Sequence, residues 1–240
     1  MYCTYFYDVD LSADVYKDML TIDTSKLYST DLHKIFNENL AFKYIYDNHL
    51  YDSEYIGVCS YRRIVPVESI DIDTLTVDTC LMFETMFGRQ DNNTFGLFWW
   101  SKDYWYNCKF IYNEWLEYCY DYNLTWALET DLLTAKKKIF YNRNCFVMHR
   151  DKFKGLVDYN WNFATYLNDK HNLQWNTENY IKWIQKNYVD THLCDSARHN
   201  MKSYPNYIRL IAYLIEIMNH HFIMYNFNEE HIKIMHTTFV

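Results

Sequence analysis

The segment EYIGVCSYRRIV, residues 54–65, ends an apolar run in a serine, a tyrosine and two adjacent arginines. Arginine is a permanent cation whose planar, paired donors match phosphate oxygens. In open α/β sheets ligands bind beyond the carboxyl ends of the strands. A strand that delivers Ser60, Tyr61, Arg62 and Arg63 to its exit therefore reads as an anion site. The alternative is a solvated strand exit, with Arg62 and Arg63 paired to surface carboxylates. Overall charge sets the background: 23 Lys and Arg stand against 31 Asp and Glu, a formal charge of −8. Local positive charge stands out against that field, and a global basic surface for gripping nucleic acid is excluded.

Other residues could also do chemistry. Asp8 and Asp10 in DVD, or Asp71 and Asp73 in DID, could hold Mn or Mg through their carboxylate oxygens. Of the two, DVD ends the first strand and so lies nearer the expected ligand edge; Asp-x-Asp also occurs widely without metal. DTHLCDSARHN gathers His192, Cys194, Asp195 and His199 at spacings that fit no standard zinc pattern, which leaves Asp195 as a candidate base.

Arg209 and Glu216 are seven residues apart, about two helical turns, and share one helix face. Glu216 sits among Leu214, Ile215 and Ile217, and a buried carboxylate needs a partner. It is either ion-paired to Arg209 or a base with a raised pKa. Asn144 could hydrogen-bond a ligand hydroxyl or cap the turn before its strand. Trp99, Trp100, Tyr104 and Trp105 could stack on a flat ligand face or pack in the core.

These residues need positioning elements. The 240 residues are half hydrophobic and one-fifth aromatic, enough for one large core, and no Pro/Gly/Ser-rich linker divides them. MYCTYFYDV alternates as a first strand; EYIGVCS, DTCLMFET and NCFVMHR read as further strands, the first two buried on both faces. STDLHKIFNENLAFKYIYDN carries Ser29 or Thr30 as an N-cap, followed by Leu32, Ile35, Phe36, Leu40, Tyr44 and Ile45 at helical spacing. NCKFIYNEWLEYCYDYN, LVDYNWNFATYLNDK, TENYIKWIQKNYV and YPNYIRLIAYLIEIMNHHFIMYN read as helices. Strands alternating with helices predict an α/β domain spanning 1–240, sheet-forming over about 1–150 and mainly helical over about 151–240.

The seven cysteines form no CxxC pair, so reduced, buried thiols are expected. The amino terminus carries no basic segment followed by an apolar run, and no stretch of about 18 apolar residues occurs. The expectation is a cytoplasmic protein, with peripheral membrane association as an option.

ENLAFKYIYDNHLYDSEYIGVCSYRRIV resembles the signature of the domain-of-unknown-function family numbered 4422, labelled as glycosyltransferases of capsular and exopolysaccharide loci. That signature runs ELTALYWIWKN, a spacer, then DYIGLCHYRRYF. Glu38 and Asn48 bracket the first half; Tyr55, Ile56, Gly57, Cys59, Tyr61, Arg62 and Arg63 match the second. YNRNCFVMHRDKF is similar to the family's NMFIMRKEIF block, with Asn144 on its asparagine. RLIAYLIEIM is similar to RVIGFLAERL, with Arg209 and Glu216 in register. Ser60 replaces the family's histidine, and Ile217 replaces an arginine.

The resemblance implies a Rossmann-like glycosyltransferase A-type sheet with a helical C-terminal part. It implies a nucleotide-sugar donor and a glycan or lipid-linked acceptor. In that fold a buried strand usually ends in Asp-x-Asp, whose carboxylates hold a divalent metal on the donor diphosphate. Here YIGVC stands in that place and ends in arginines, so no cofactor is required on this reading. Catalysis would rest on Arg62, Arg63 and Glu216, donor binding on Ser60, Tyr61, Asp8 and Asp10, and acceptor binding on Asn144, Asp195 and Trp100. Glu38 and Arg209 would be supporting residues. Two other readings stay open: a binding module that keeps the fold without transfer, and a metal-dependent phosphate-ester hydrolase using one of the Asp-x-Asp pairs.

Overall fold

Short apolar strands with alternate residues facing two cores organise the molecule. A computed structural model describes residues 1–5, 19–28, 31–60, 63–65, 67–85, 102–129, 144–187 and 206–239. Its strands are β1 (Tyr2–Tyr5), β2 (Leu20–Asp23), β3 (Tyr55–Ser60), β4 (Arg63–Ile64), β5 (Cys80–Thr85), β6 (Phe146–His149) and β7 (Ile232–Phe239). Helices α1 (His33–Phe36), α2 (Asn39–Asp47), α3 (Lys102–Asp121), α4 (Thr125–Leu128), α5 (Arg150–Lys170), α6 (Thr177–Asn187) and α7 (Leu210–Asn226) accompany them. The protein is α/β, with several of the helices in its C-terminal part.

The strand order is β2-β1-β3-β6-β5-β7, with the two-residue β4 on the tip of β7. β1 runs parallel to β2 and β3, β5 runs parallel to β7, and β6 is antiparallel to both β3 and β5. β6, and the short β4 on β7, therefore oppose the common direction of β1, β2, β3, β5 and β7.

β3 is covered on both faces, as its unbroken apolar run predicts. Ile56 and Val58 enter the larger core with α2, α5 and α7, while Cys59 enters a smaller one with Cys3, Val65, Leu81, Phe83, Cys145 and Val147. Gly57 is required between them. A Cβ there would stand 3.0 Å from Cγ2 of Val147, its cross-strand partner, and 3.1 Å from Cγ of Met1. Cys3, Cys59, Cys80, Cys119 and Cys145 are all buried free thiols.

β6 passes directly into α5. The Arg150 amide donates to the Glu54 carbonyl at 2.8 Å, and the His149 imidazole caps the helix by accepting from the Asp151 amide. α5 buries Phe153, Leu156, Val157, Asn160, Phe163, Ala164 and Leu167, the i, i+3, i+4, i+7 stripe of a core-facing helix. Its 21 residues return the chain about 30 Å. α7 crosses it closely where Gly155 meets Phe222; a Cβ at 155 would lie 3.2 Å from Cζ of that ring.

Three features depart from the sequence reading. The predicted helix over 29–48 is two helices, because Asn37 turns the backbone to φ 53°, ψ −135° between α1 and α2. Asparagine tolerates such positive φ better than most residues. The proposed caps Ser29 and Thr30 lie outside the described residues. β2 was not foreseen, and the C-terminal part does not stay helical, since β7 re-enters the sheet beside β5. No helix among the described residues is long and apolar enough to cross a membrane.

Candidate functional site

β1 is flanked in parallel by β2 on one side and β3 on the other, so the chain leaves it in one direction and resumes on the opposite side. Such a reversal of strand order is a topological switch point, and its crevice lies outside the carboxyl ends of the two strands. The last paired residues there are Thr4 and Ser60. Ser60 is buried, and its amide meets Sγ of Cys145 at 3.2 Å. The Thr4 hydroxyl donates to the Cys59 carbonyl at 3.1 Å. Because β6 is reversed, its amino end also lies at this edge, and Asn144 and Cys145 stand beside Ser60.

The tip of β7 belongs to the same edge. Thr238 and Phe239 pair with Ile64 and Arg63. β4 follows Ser60 by three residues, a reach of about 10 Å. β4 pairs with β7 just beyond the stretch of β7 that pairs with β5, which ties the carboxyl end of β7 to the backbone that follows β3. That pairing pins the backbone of Arg63 close to the exit of β3.

Behind the edge lies a buried polar core. Asn144 has φ 58° and is almost wholly buried. Its Oδ1 accepts from Nδ2 of Asn219 at 2.6 Å. The same Asn219 amide donates to Oδ1 of Asn39 at 3.1 Å, and its own Oδ1 accepts from Asn160. One side chain thus ties α2, the entrance of β6, α5 and α7 together. Asn219 is fully satisfied, whereas Nδ2 of Asn39, Nδ2 of Asn144 and Oδ1 of Asn160 have no hydrogen-bond partner among the described residues. A cross-element network of this kind fixes one packing arrangement when satisfied and is costly to break.

Glu38, adjacent to Asn39, is buried, and Arg209 and Glu216 are half-buried. They meet around Tyr213, which lies between the last two in sequence. Burial raises the Tyr213 phenol above its ordinary pKa; the Arg209 guanidinium, hydrogen-bonded to it, opposes that shift, and the Glu216 and Glu38 carboxylates add to it. Arg209 closes a 3-10 turn, Asn206–Arg209, and caps α7 rather than standing within it. Its charge also reaches His33 on α1, whose imidazole is held below its ordinary pKa chiefly by burial.

The predicted site residues thus divide. Ser60, Asn144, Glu38, Arg209 and Glu216 are described as above, and the backbone of Arg63 lies in β4. Asp71 and Asp73 are exposed in the loop that leads to the amino end of β5, the edge away from Ser60. Tyr61, Arg62, Asp8, Asp10, Trp100 and Asp195 lie outside the described residues. Among the described residues no group of three His, Cys, Asp or Glu is placed to hold a metal.

Asn219, Asn160, Asn39 and Tyr213 were not singled out from sequence. Their signal is a polar residue on a buried stripe: Asn219 beside Ile215, Met218 and Phe222, and Asn160 between Val157 and Phe163. A lone amide on such a face implies a buried partner. No family model, no curated protein and no solved structure matches this chain.

Proposed function

We propose that the protein is a glycosyltransferase of glycosyltransferase A type, moving a sugar from a nucleotide-sugar donor to a glycan or lipid-linked acceptor. The observation that carries this reading is the switch point between β1 and β3. The chain leaves that crevice as Ser60-Tyr61-Arg62-Arg63, and the motif resemblance attaches to the same segment. Transfer breaks the bond between the anomeric carbon and a phosphate oxygen, so negative charge grows on the departing diphosphate. Guanidinium groups in a site shielded from water stabilise that charge without needing a metal. Arg62 and Arg63 take this role, and the Ser60 and Tyr61 side chains bind the donor beside them.

Glu216 is the base that accepts the acceptor hydroxyl's proton. The Arg209 guanidinium, hydrogen-bonded to the Tyr213 phenol, supplies positive charge beside it. Support for this assignment comes from Glu38, Arg209 and Glu216, far apart in sequence, converging on one phenol. Asn144 is almost wholly buried and supports the entrance of β6 from behind the acceptor side, through its bond to Asn219.

Thermal shift with a panel of nucleoside diphosphates in EDTA tests the reading. Stabilisation by at least one diphosphate without metal is expected. Stabilisation only with Mn or Mg added points to a carboxylate site instead. No response with or without metal points to a binding module without a donor.

A further inference from the structure

The turn between α5 and α6 encloses an open cavity of about 420 Å³ that none of the sheet-edge residues lines. Its walls include His171, Asn172, Gln174, Lys182, Trp183 and Lys186. The backbone that shapes it is unusual. Asn172, Gln174 and Trp175 all have positive φ, at 49°, 56° and 50°, and none is glycine. Strained conformations of this kind persist only where the surroundings over-determine them, and they gather at ligand-binding segments.

The surroundings here do over-determine the turn. Oδ1 of Asn168 accepts from the Trp175 amide at 2.7 Å, and the Asn168 carbonyl accepts from the Leu173 amide at 2.9 Å. Nδ2 of Asn179 donates to the Leu173 carbonyl at 3.2 Å. Hydrogen bonds thus hold the turn at the Leu173 amide, the Leu173 carbonyl and the Trp175 amide.

The cavity's chemistry is amphipathic and cationic. Trp183 supplies an apolar wall, held by His171 at 4.7 Å between ring centroids and by Phe110 at 5.5 Å. The nearby carboxylate of Glu114 is already engaged, 2.8 Å from Nζ of Lys170 and 3.0 Å from Nε2 of His171. Lys182 reaches Glu178 only at 3.9 Å, with both side chains largely exposed. Lys182 and Lys186, one helical turn apart, both line the cavity, and they give its rim two positive charges against the single exposed carboxylate of Glu178. A shallow polar cleft with one indole wall, planar amides and two ammonium groups matches a sugar ring, which has polar edges and an apolar face. The ammonium groups select a sugar that carries a carboxylate. A polyphosphate backbone fits less well, because it has no apolar face to lay against the Trp183 indole.

We propose that this cavity binds an acidic saccharide, one or two uronic-acid residues of a longer glycan, as a site separate from the sheet edge. The test is isothermal titration of the intact protein with tetragalacturonate at low salt, with maltotetraose and inorganic phosphate as comparators. Tetragalacturonate is expected to bind and maltotetraose to give no heat. A Lys182→Ala, Lys186→Ala variant, whose changes are exposed and leave the fold intact, should weaken binding at least ~tenfold. Gln174→Gly should weaken binding while its Tm stays equal or rises, because glycine accepts φ 56° without strain. Absence of heat with tetragalacturonate, equal binding of maltotetraose or phosphate, or full affinity in the double lysine variant would overturn the assignment. The probe carries no nucleotide, so its failure leaves the donor reading standing, and failure of the diphosphate panel leaves this one standing.

Discussion

His221 offers a sharp test of how the helices pack. It lies on α7 with its ring stacked on Trp126 at 5.4 Å and edge-on to Trp115 at 5.8 Å. Neither ring nitrogen has a hydrogen-bond partner among the described residues. Burial, and then the neighbouring charge of His220, hold its pKa down to about 4. Burial holds His220 at about 4 as well.

A histidine whose folded pKa is depressed keeps the native state neutral while the unfolded chain takes up a proton. Its effect on stability is nil above the unfolded value of 6.5, and stability falls as pH drops from there toward about 4. For His221 alone, going from about pH 7.5 to about pH 5 should remove about 2 kcal/mol. Urea denaturation at the two pH values, in the wild type and in His221→Phe, isolates this contribution from that of the carboxylates. Phenylalanine keeps the stacked aromatic and cannot titrate. Its loss of stability over the interval should be smaller than that of the wild type by about 2 kcal/mol. An identical pH dependence in the two proteins would refute the buried, neutral imidazole.

Two further predictions concern the scaffold of the site. Asn219→Leu removes the hub of the amide network and strands the partners on Asn39, Asn144 and Asn160; chemical denaturation should show a loss of about 3 kcal/mol or more. A change below about 1 kcal/mol would mean the network does not hold the four elements together. Gly57→Ala forces a methyl to 3.0 Å from Val147 and 3.1 Å from Met1. It should lower stability by about 1–3 kcal/mol, read from the denaturant midpoint; an unchanged midpoint would contradict the close packing of β3 on β6.

Much of the scaffold is legible in local sequence, because one period dominates each long element. The buried stripe of α5 and the apolar run of β3 are plain, and both lie where the residue pattern puts them. The break between α1 and α2 is not legible. Only Asn37 and Glu38 interrupt the helices, so Phe36 and Leu40 keep helical spacing across the kink.

β2 escapes for a different reason: its four residues expose Leu20 and bury only Ile22, too little pattern to mark a strand that is placed by pairing with β1. β7 alternates only over Ile232, Lys233 and Ile234, and follows a long helix that masks the change of period. The site is legible in part. The arginines, Asn144, Glu38, Arg209 and Glu216 stand out by type or motif. The convergence on Tyr213 and the Asn219 hub depends on contacts between residues far apart in sequence, which no local pattern encodes.

The central claim is that Arg62 and Arg63 neutralise a departing diphosphate, and donor turnover in EDTA by an Arg62→Ala, Arg63→Ala variant tests it most directly. Product release from a nucleotide-sugar that the wild type consumes should fall by at least ~10²-fold, with the melting temperature little changed. Turnover at the wild-type rate by the folded double variant would contradict the claim.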